Sequence, residues 1–316
     1  MADAGLVALC DIQKGRVEEI LSEYRDISGR SCGDVRICTD WADIVDSEAE
    51  IVHICTPHHL HVPMAAALLN AGKAVFMEKP CAVSRRQFEE LKQADRANPG
   101  KLGICFQNRY NTTTKELARA IAEGKIGRVT GGRAFVTWRR DAAYYRESDW
   151  KGSIETEGGG ALINQSIHTL DLLLGFLGKP VKLSGSIADH HLKSEIEVED
   201  TVEAWFETED GKRGCFYGST GYCADAPVIL EIQGDRGRIM LCGNEVILST
   251  EDGVRHITKA SGGGMIKDYC GDGHRACIRD FYHCIAEGRN PVTDLKSAEV
   301  VTETVLKIYE GRTGFA

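Results

Sequence analysis

Short β-branched runs alternate with helical patterns through the first hundred residues, and this limits the fold more than any other feature. Leu6–Cys10 reads as a strand ending in Asp11, and Arg16–Tyr24 as a helix. Val35–Cys38 and the longer, largely apolar Ile51–Thr56 read as strands. Pro63–Ala71 reads as a helix closed by Gly72, then Ala74–Met77 as strand, Ser84–Ala97 as helix and Leu102–Phe106 as strand. Strands and helices alternating at this pace build βαβ units, and so a parallel sheet with helices on its faces.

After Asn108 the texture changes. Thr112–Glu123 is one more helix and Val129–Trp138 a strand. Ala161–Phe176 is an amphipathic helix entered through Gly158-Gly159-Gly160. Val181–Ala188, Thr201–Thr208, Arg213–Thr220, Val228–Gln233, Arg238–Leu241 and Val246–Ser249 then follow with period-2 character, two of them joined by the turn Asp210-Gly211. Consecutive strands on short turns predict a large, mostly antiparallel open sheet. Helices return at His274–Glu287 and Ser297–Tyr309. The expected architecture is α/β followed by α+β, with domains at 1–125 and 126–316 and the C-terminal helices packing back toward the first domain.

Composition removes several classes. The 316 residues carry 38 basic and 47 acidic side chains, a net charge of −9, with no basic run, so nucleic acid is not an expected partner. No apolar stretch approaches the ~20 residues a bilayer span needs, so no membrane role is expected. With no signal-like start, the cytoplasm is the expected location. Twelve cysteines scattered through apolar runs, with no Cys-x-x-Cys pair, read as small hydrophobes rather than as a disulfide framework or a structural zinc site. Cys270, Cys277 and Cys284 recur every seven residues with His274 among them, but an apolar helix face explains the spacing, and no metal is expected.

Four places look chemical. Asp11 ends a strand, as does the carboxylate that meets the ribose hydroxyls in a dinucleotide fold. Thr56-Pro57-His58-His59-Leu60-His61 follows an apolar strand, where open α/β sheets bind ligands. Lys79, in Glu78-Lys79-Pro80 at the end of Ala74–Met77, sits where burial would lower its pKa and suit it to proton transfer. Asn164, His168 and Asp171 fall at i, i+4 and i+7 on one face of a leucine-rich helix, a polar stripe fit for a general base.

In that order, Thr-Pro-x-x-x-His, Glu-Lys-Pro and Gly-Gly-Gly…Asn164…Ser166…His168…Asp171 resemble the glucose–fructose oxidoreductase/inositol dehydrogenase (Gfo/Idh/MocA) family. The likeness extends to Asn108-Arg109-Tyr110-Asn111 and to His274…Asp280-Phe281…Asn290-Pro291. The resemblance implies a Rossmann-like sheet, an open antiparallel sheet, and a sugar or cyclitol hydroxyl oxidised between them by NAD. It implies Lys79 and His168 as the catalytic pair. Asp11, Thr56, Pro57, His58, His61, Glu78, Lys79, Pro80 and Asn108 fall on the cofactor side. Asn164, Arg109, Tyr145, Lys151 and Asp171 fall on the substrate side. Asn164, where many members carry Asp, can hydrogen-bond but cannot take a proton, which moves the base role to His168. Asn164 with Tyr144-Tyr145…Asp149-Trp150-Lys151-Gly152 and Ile196–Thr201 resembles the branch acting on UDP-N-acetylglucosaminuronate, whose carboxylate Lys151, Arg109 or Arg139 would meet. Family habit also implies a homo-dimer or homo-tetramer.

The family opens with a strand and a Gly-x-Gly-x-x-Gly turn, whereas this sequence starts just before the second strand. The first βα unit is therefore expected to be absent, with roughly thirty residues upstream in a complete protein. Gly271-Asp272-Gly273 has no strand before it and is read as a chance match, and Gly262-Gly263-Gly264 as a loop. Two other readings stay open: a sugar-binding relative without cofactor or catalysis, and a redox-assisted glycosidase.

Overall fold

The computed structural model describes residues 4–193, 195–259 and 272–311. Cys270, Gly271 and the glycine run at 262–264 lie outside them. The chain opens with β1 (Ala8–Cys10), α1 (Lys14–Ser28), β2 (Arg36–Cys38), the short α2 (Ala42–Val45), β3 (Ile51–Ile54), α3 (His58–Asn70), β4 (Ala74–Met77), α4 (Arg85–Ala97) and β5 (Leu102–Ile104). All five strands pair in parallel, but in two sheets, β1-β2 and β3-β4-β5. Among the described residues no strand joins β1 to β3.

Helix α3 differs from its sequence reading. It begins at His58 rather than Pro63, so the histidine segment is its first turn, not a loop. Pro63 lies inside it and has no N–H for the carbonyl of His59. That carbonyl accepts from Gln87 Nε2 on α4 at 3.0 Å, so the proline is tolerated. Ser84 caps α4 by accepting from Gln87 N–H, and Phe88, Leu91 and Ala94 bury one face of that helix.

A 3-10 turn over Gln107–Tyr110 and α5 (Thr112–Ala122) lead to β6 (Val129–Thr137) and the short α6 (Ala142–Arg146). A π-helical turn, Ala161–Ser166, runs into α7 (Ile167–Leu177). Seven strands follow: β7 (Pro180–Ala188), β8 (Thr201–Thr208), β9 (Arg213–Ser219), β10 (Ile229–Gly234), β11 (Gly237–Cys242), β12 (Glu245–Thr250) and β13 (Gly253–Lys259), the last not foreseen. Their sheet runs β13-β12-β11-β10-β6-β9-β8-β7, antiparallel except for the β6-β9 pair.

Helices α5 and α7 pack on one face of this sheet. Cross-strand register places Glu203, Trp205, Tyr217, Arg133, Phe135, Glu231, Arg238 and Met240 together on the other face. This open face is mixed, with Glu231 holding both Arg133 and Arg238. α8 (His274–Glu287) packs on β4 and the 3-10 turn, and α9 (Leu295–Glu310) on β5, α4, α7 and β7. Phe281 of α8 meets the Phe76 ring at 5.2 Å and is almost fully buried, worth about 2–3 kcal/mol.

Candidate active site

Lys79 stands at the C-terminal edge of the parallel layer, two residues beyond β4. Its Nζ donates to the main-chain oxygen of Asn164 at 2.8 Å and to Asn164 Oδ1 at 3.0 Å. Asn164 Nδ2 donates to Glu157 Oε1 at 2.6 Å, and Glu157 Oε2 accepts from Gly152 N–H at 2.5 Å. Glu157 is buried, and burial pushes its carboxyl up to about 6 despite these two bonds.

The glycine run makes this arrangement possible. A Cβ on Gly160 would overlap the carbonyl oxygen of Glu199, so only glycine lets the turn pass the segment that leads into β8. The Glu199 carboxylate accepts from Gly160 and Leu162 N–H, both at 2.9 Å, and so caps the turn. The regular helix expected from Ala161 is replaced by a wider turn, in which the N–H groups of both Asn164 and Gln165 reach the Gly160 carbonyl, at 3.0 and 3.4 Å. The extra residue per turn breaks the even polar stripe. Asn164 meets Lys79, His168 meets Gln107, and Asp171 meets Arg109.

His168 Nε2 lies 3.3 Å from Gln107 Nε2, while its buried Nδ1 has no protein partner. Burial, then the Lys79 ammonium, lowers its pKa to about 3, so the ring is neutral at physiological pH. His58 donates from Nδ1 to the Glu157 carbonyl at 2.8 Å and packs on Trp150. It too is held neutral by burial and by Lys79. His61 is fully buried, with Nδ1 3.0 Å from the Pro80 carbonyl and Nε2 2.9 Å from that of Thr56. It therefore ties the Thr56-Pro57 corner to the Lys79-Pro80 turn from behind. Glu78 is opposed by burial, but His274, Lys79 and Cys105 hold its pKa down to about 2. Asn108 lies in the 3-10 turn with a buried Oδ1 that has no protein partner.

Other expected site residues stand apart from this group. Arg109 grips Asp171 through Nε at 2.7 Å and Nη2 at 2.5 Å, and reaches Ser297 Oγ at 2.9 Å. These two expected substrate contacts therefore serve each other. Lys151 Nζ lies over the Tyr144 ring at 3.9 Å, and Tyr145 is buried with Ile196 and Val198. Asp11 directly follows β1, accepts from Gln13 N–H at 2.8 Å and lies 4.0 Å from Arg16.

The sequence reading missed Glu157, Gln107, Gln165 and Arg140. Arg140 is buried, bonding Gln165 Oε1 at 3.1 Å and Asp225 at 3.0 Å. The one available sign of Glu157 is a carboxyl placed directly before three glycines.

A parallel βα layer with a lysine at its C-terminal edge, set against a broad antiparallel sheet, is a two-part dinucleotide-binding layout. Residues 2–105 match a family model described as an oxidoreductase family with an NAD-binding Rossmann fold, and residues 114–240 match the GFO/IDH/MocA C-terminal domain. The chain belongs to the Gfo/Idh/MocA family. It is 27% identical over 181 residues to a D-glucoside 3-dehydrogenase of Escherichia coli, covering 56% of this chain and 48% of that protein. It is 32% identical over 124 residues to an inositol 2-dehydrogenase of Salmonella typhimurium, covering 39% and 35%. The chain thus spans half or less of these curated relatives. Among solved structures, the WlbA dehydrogenase from Bordetella pertussis in complex with NADH and UDP-GlcNAcA aligns with a TM-score of 0.79 and 25% identity, over 98% of this chain and 89% of that one. No described helix is long and apolar enough to cross a membrane.

Proposed function

We propose that this chain is an NAD-dependent dehydrogenase that oxidises a sugar hydroxyl, with a nucleotide-sugar uronate as the first substrate class to test. The observation that carries this reading is the anchoring of Lys79 by Asn164 beside a neutral His168. The residues present fit a nicotinamide end of the cofactor. Buried Asn108 Oδ1 and His168 Nδ1 lack protein partners, and polar atoms in that state call for a ligand. When bound, NAD supplies the acceptor for a hydride.

The chain's own residues handle the proton. Lys79 polarises the substrate oxygen, and His168 takes the hydroxyl proton as the carbon is oxidised. Asn164, an amide, orients both Lys79 and substrate. With Arg109 committed to Asp171, Lys151 and Arg139 remain the cations proposed for a uronate carboxylate.

The test is NADH formation, with mass spectrometry of the product, on UDP-GlcNAcA, myo-inositol and an alkyl glucoside. Reduction of NAD with one of these supports the reading. A folded protein that yields neither NADH nor oxidised product with any of them overturns it.

A further inference from the structure

We propose that Glu78, Cys105 and His274 form a binding site for a zinc-like divalent cation, an inference that does not depend on the function above. Cys105 Sγ lies 3.4 Å from His274 Nε2, and that nitrogen lies 3.6 Å from Glu78 Oε1. The three atoms fall within 4.8 Å of one another. A tetrahedral zinc with bonds of about 2.3 Å to sulfur, about 2.0 Å to nitrogen and about 2.1 Å to oxygen holds such atoms roughly 3.4–3.6 Å apart. The two separations from His274 Nε2 match those values before any ion arrives, and the third lies within 4.8 Å.

The frame is rigid. Glu78 and Cys105 directly follow the paired strands β4 and β5, and Cys105 N–H donates to the Met77 carbonyl at 2.8 Å. His274 opens α8, whose entry is fixed by Gly273 N–H donating to Asn111 Oδ1 at 2.7 Å. A side chain at Gly273 would overlap the Gln107 carbonyl oxygen, so His274 is held in place. The site also has an entrance. Cys105 is fully buried, while the side chains of Glu78 and His274 are 31% and 32% exposed. Three protein ligands with one side open describe a site whose fourth position takes water, as catalytic and exchangeable zinc sites do. A soft thiolate with an imidazole selects zinc or cobalt over magnesium or calcium. On binding, the sulfur–metal bond forms as the Cys105 S–H proton leaves to solvent. Among the described residues, the partners of His274 come from the ends of β4 and β5 and not from Cys277 or Cys284 of its own helix.

The experiment is titration of the chelator-treated protein with cobalt(II), followed by its thiolate charge-transfer absorption, and then displacement by zinc. The expected result is one equivalent bound with a charge-transfer band. Cys105→Ser abolishes that band, and His274→Gln weakens binding about 10–100-fold or more. Cys277→Ser, which alters a neighbouring thiol outside the triad, leaves the band intact. Circular dichroism keeps loss of folding apart from loss of ligand. A folded wild-type protein without the band overturns the proposal, as does a band unchanged in folded Cys105→Ser. In either case the three side chains are only hydrogen-bonded to one another.

Discussion

The Asn164 amide is oriented by Glu157, which accepts its Nδ2 proton at 2.6 Å and so turns Oδ1 toward Lys79 at 3.0 Å. An ionised Glu157 accepts both this bond and the one from Gly152. Protonation puts a hydrogen on one of the two oxygens and removes one of these bonds. With a pKa of about 6, Glu157 should therefore set an acid limb, with turnover falling as pH drops through about 6. His168, near 3, titrates too low to account for it. Glu157→Gln should turn over slowly at all pH values and lose the limb; a limb retained in that variant would assign it elsewhere. The same shift sets a stability trend. A raised carboxyl pKa penalises the charged form in the fold, a cost absent below 4.5, growing between 4.5 and about 6, and constant above, of about 2 kcal/mol. Thermal melts across that window should fall with rising pH.

Lys79→Ala and His168→Ala should each lower turnover by at least ~10²-fold, the usual scale for a positioned proton-transfer group. Steady-state rates on active enzyme measure this. Near wild-type turnover in either variant removes that residue from the mechanism.

Asp11 directly follows β1 with its carboxylate partly exposed, and a carboxylate there repels a 2′-phosphate. NAD should therefore be preferred to NADP, and Asp11→Ala should narrow the preference. Paired titrations decide it, and tighter NADP binding by the unaltered protein removes Asp11 from that role.

Arg109 and the buried Asp171 form a two-point ion pair inside the helix layer. Removing one partner strands the other, so Arg109→Met should destabilise the fold by about 3–5 kcal/mol. Denaturant unfolding provides the value. Wild-type stability with a raised KM for a uronate would return Arg109 to the substrate.

The mixed open face carries Trp205, half exposed, on the same side of the sheet as the Arg133–Glu231–Arg238 ion pairs. We expect this face to join copies of the chain into a dimer or tetramer. Light scattering should give a multiple of 34.6 kDa, and Trp205→Glu should reduce it. A monomer mass at micromolar concentration contradicts the expectation.

Much of the fold was legible because local chemistry and tertiary context agree. Thr201–Thr208 and His274–Glu287 match their elements residue for residue, the first by Val202, Ala204 and Phe206 alternating toward the covered face of the sheet, the second by a long apolar stripe. Pro63 misled because its cost is met by Gln87, 24 residues away, and no local pattern records that. The π turn was hidden for a similar reason. Its geometry depends on Glu199, just before β8, capping it, while the local sequence reads as an ordinary helix. Lys79, Asn164 and His168 stood out as polar groups in apolar settings. Glu157 did not, because one carboxyl before a glycine run has no period to mark it.

Strand β6 has consequences for how quickly the chain can reach this state. Its two neighbours are β9 and β10, so residues 129–137 pair with strands some eighty to a hundred positions later. The centre of the large sheet therefore cannot close early in synthesis or refolding, and long loops must be gathered before any of its ladder bonds repay the lost chain freedom. Until then the exposed edge of β6 is a template for other chains, so dilute protein should refold in higher yield than concentrated protein.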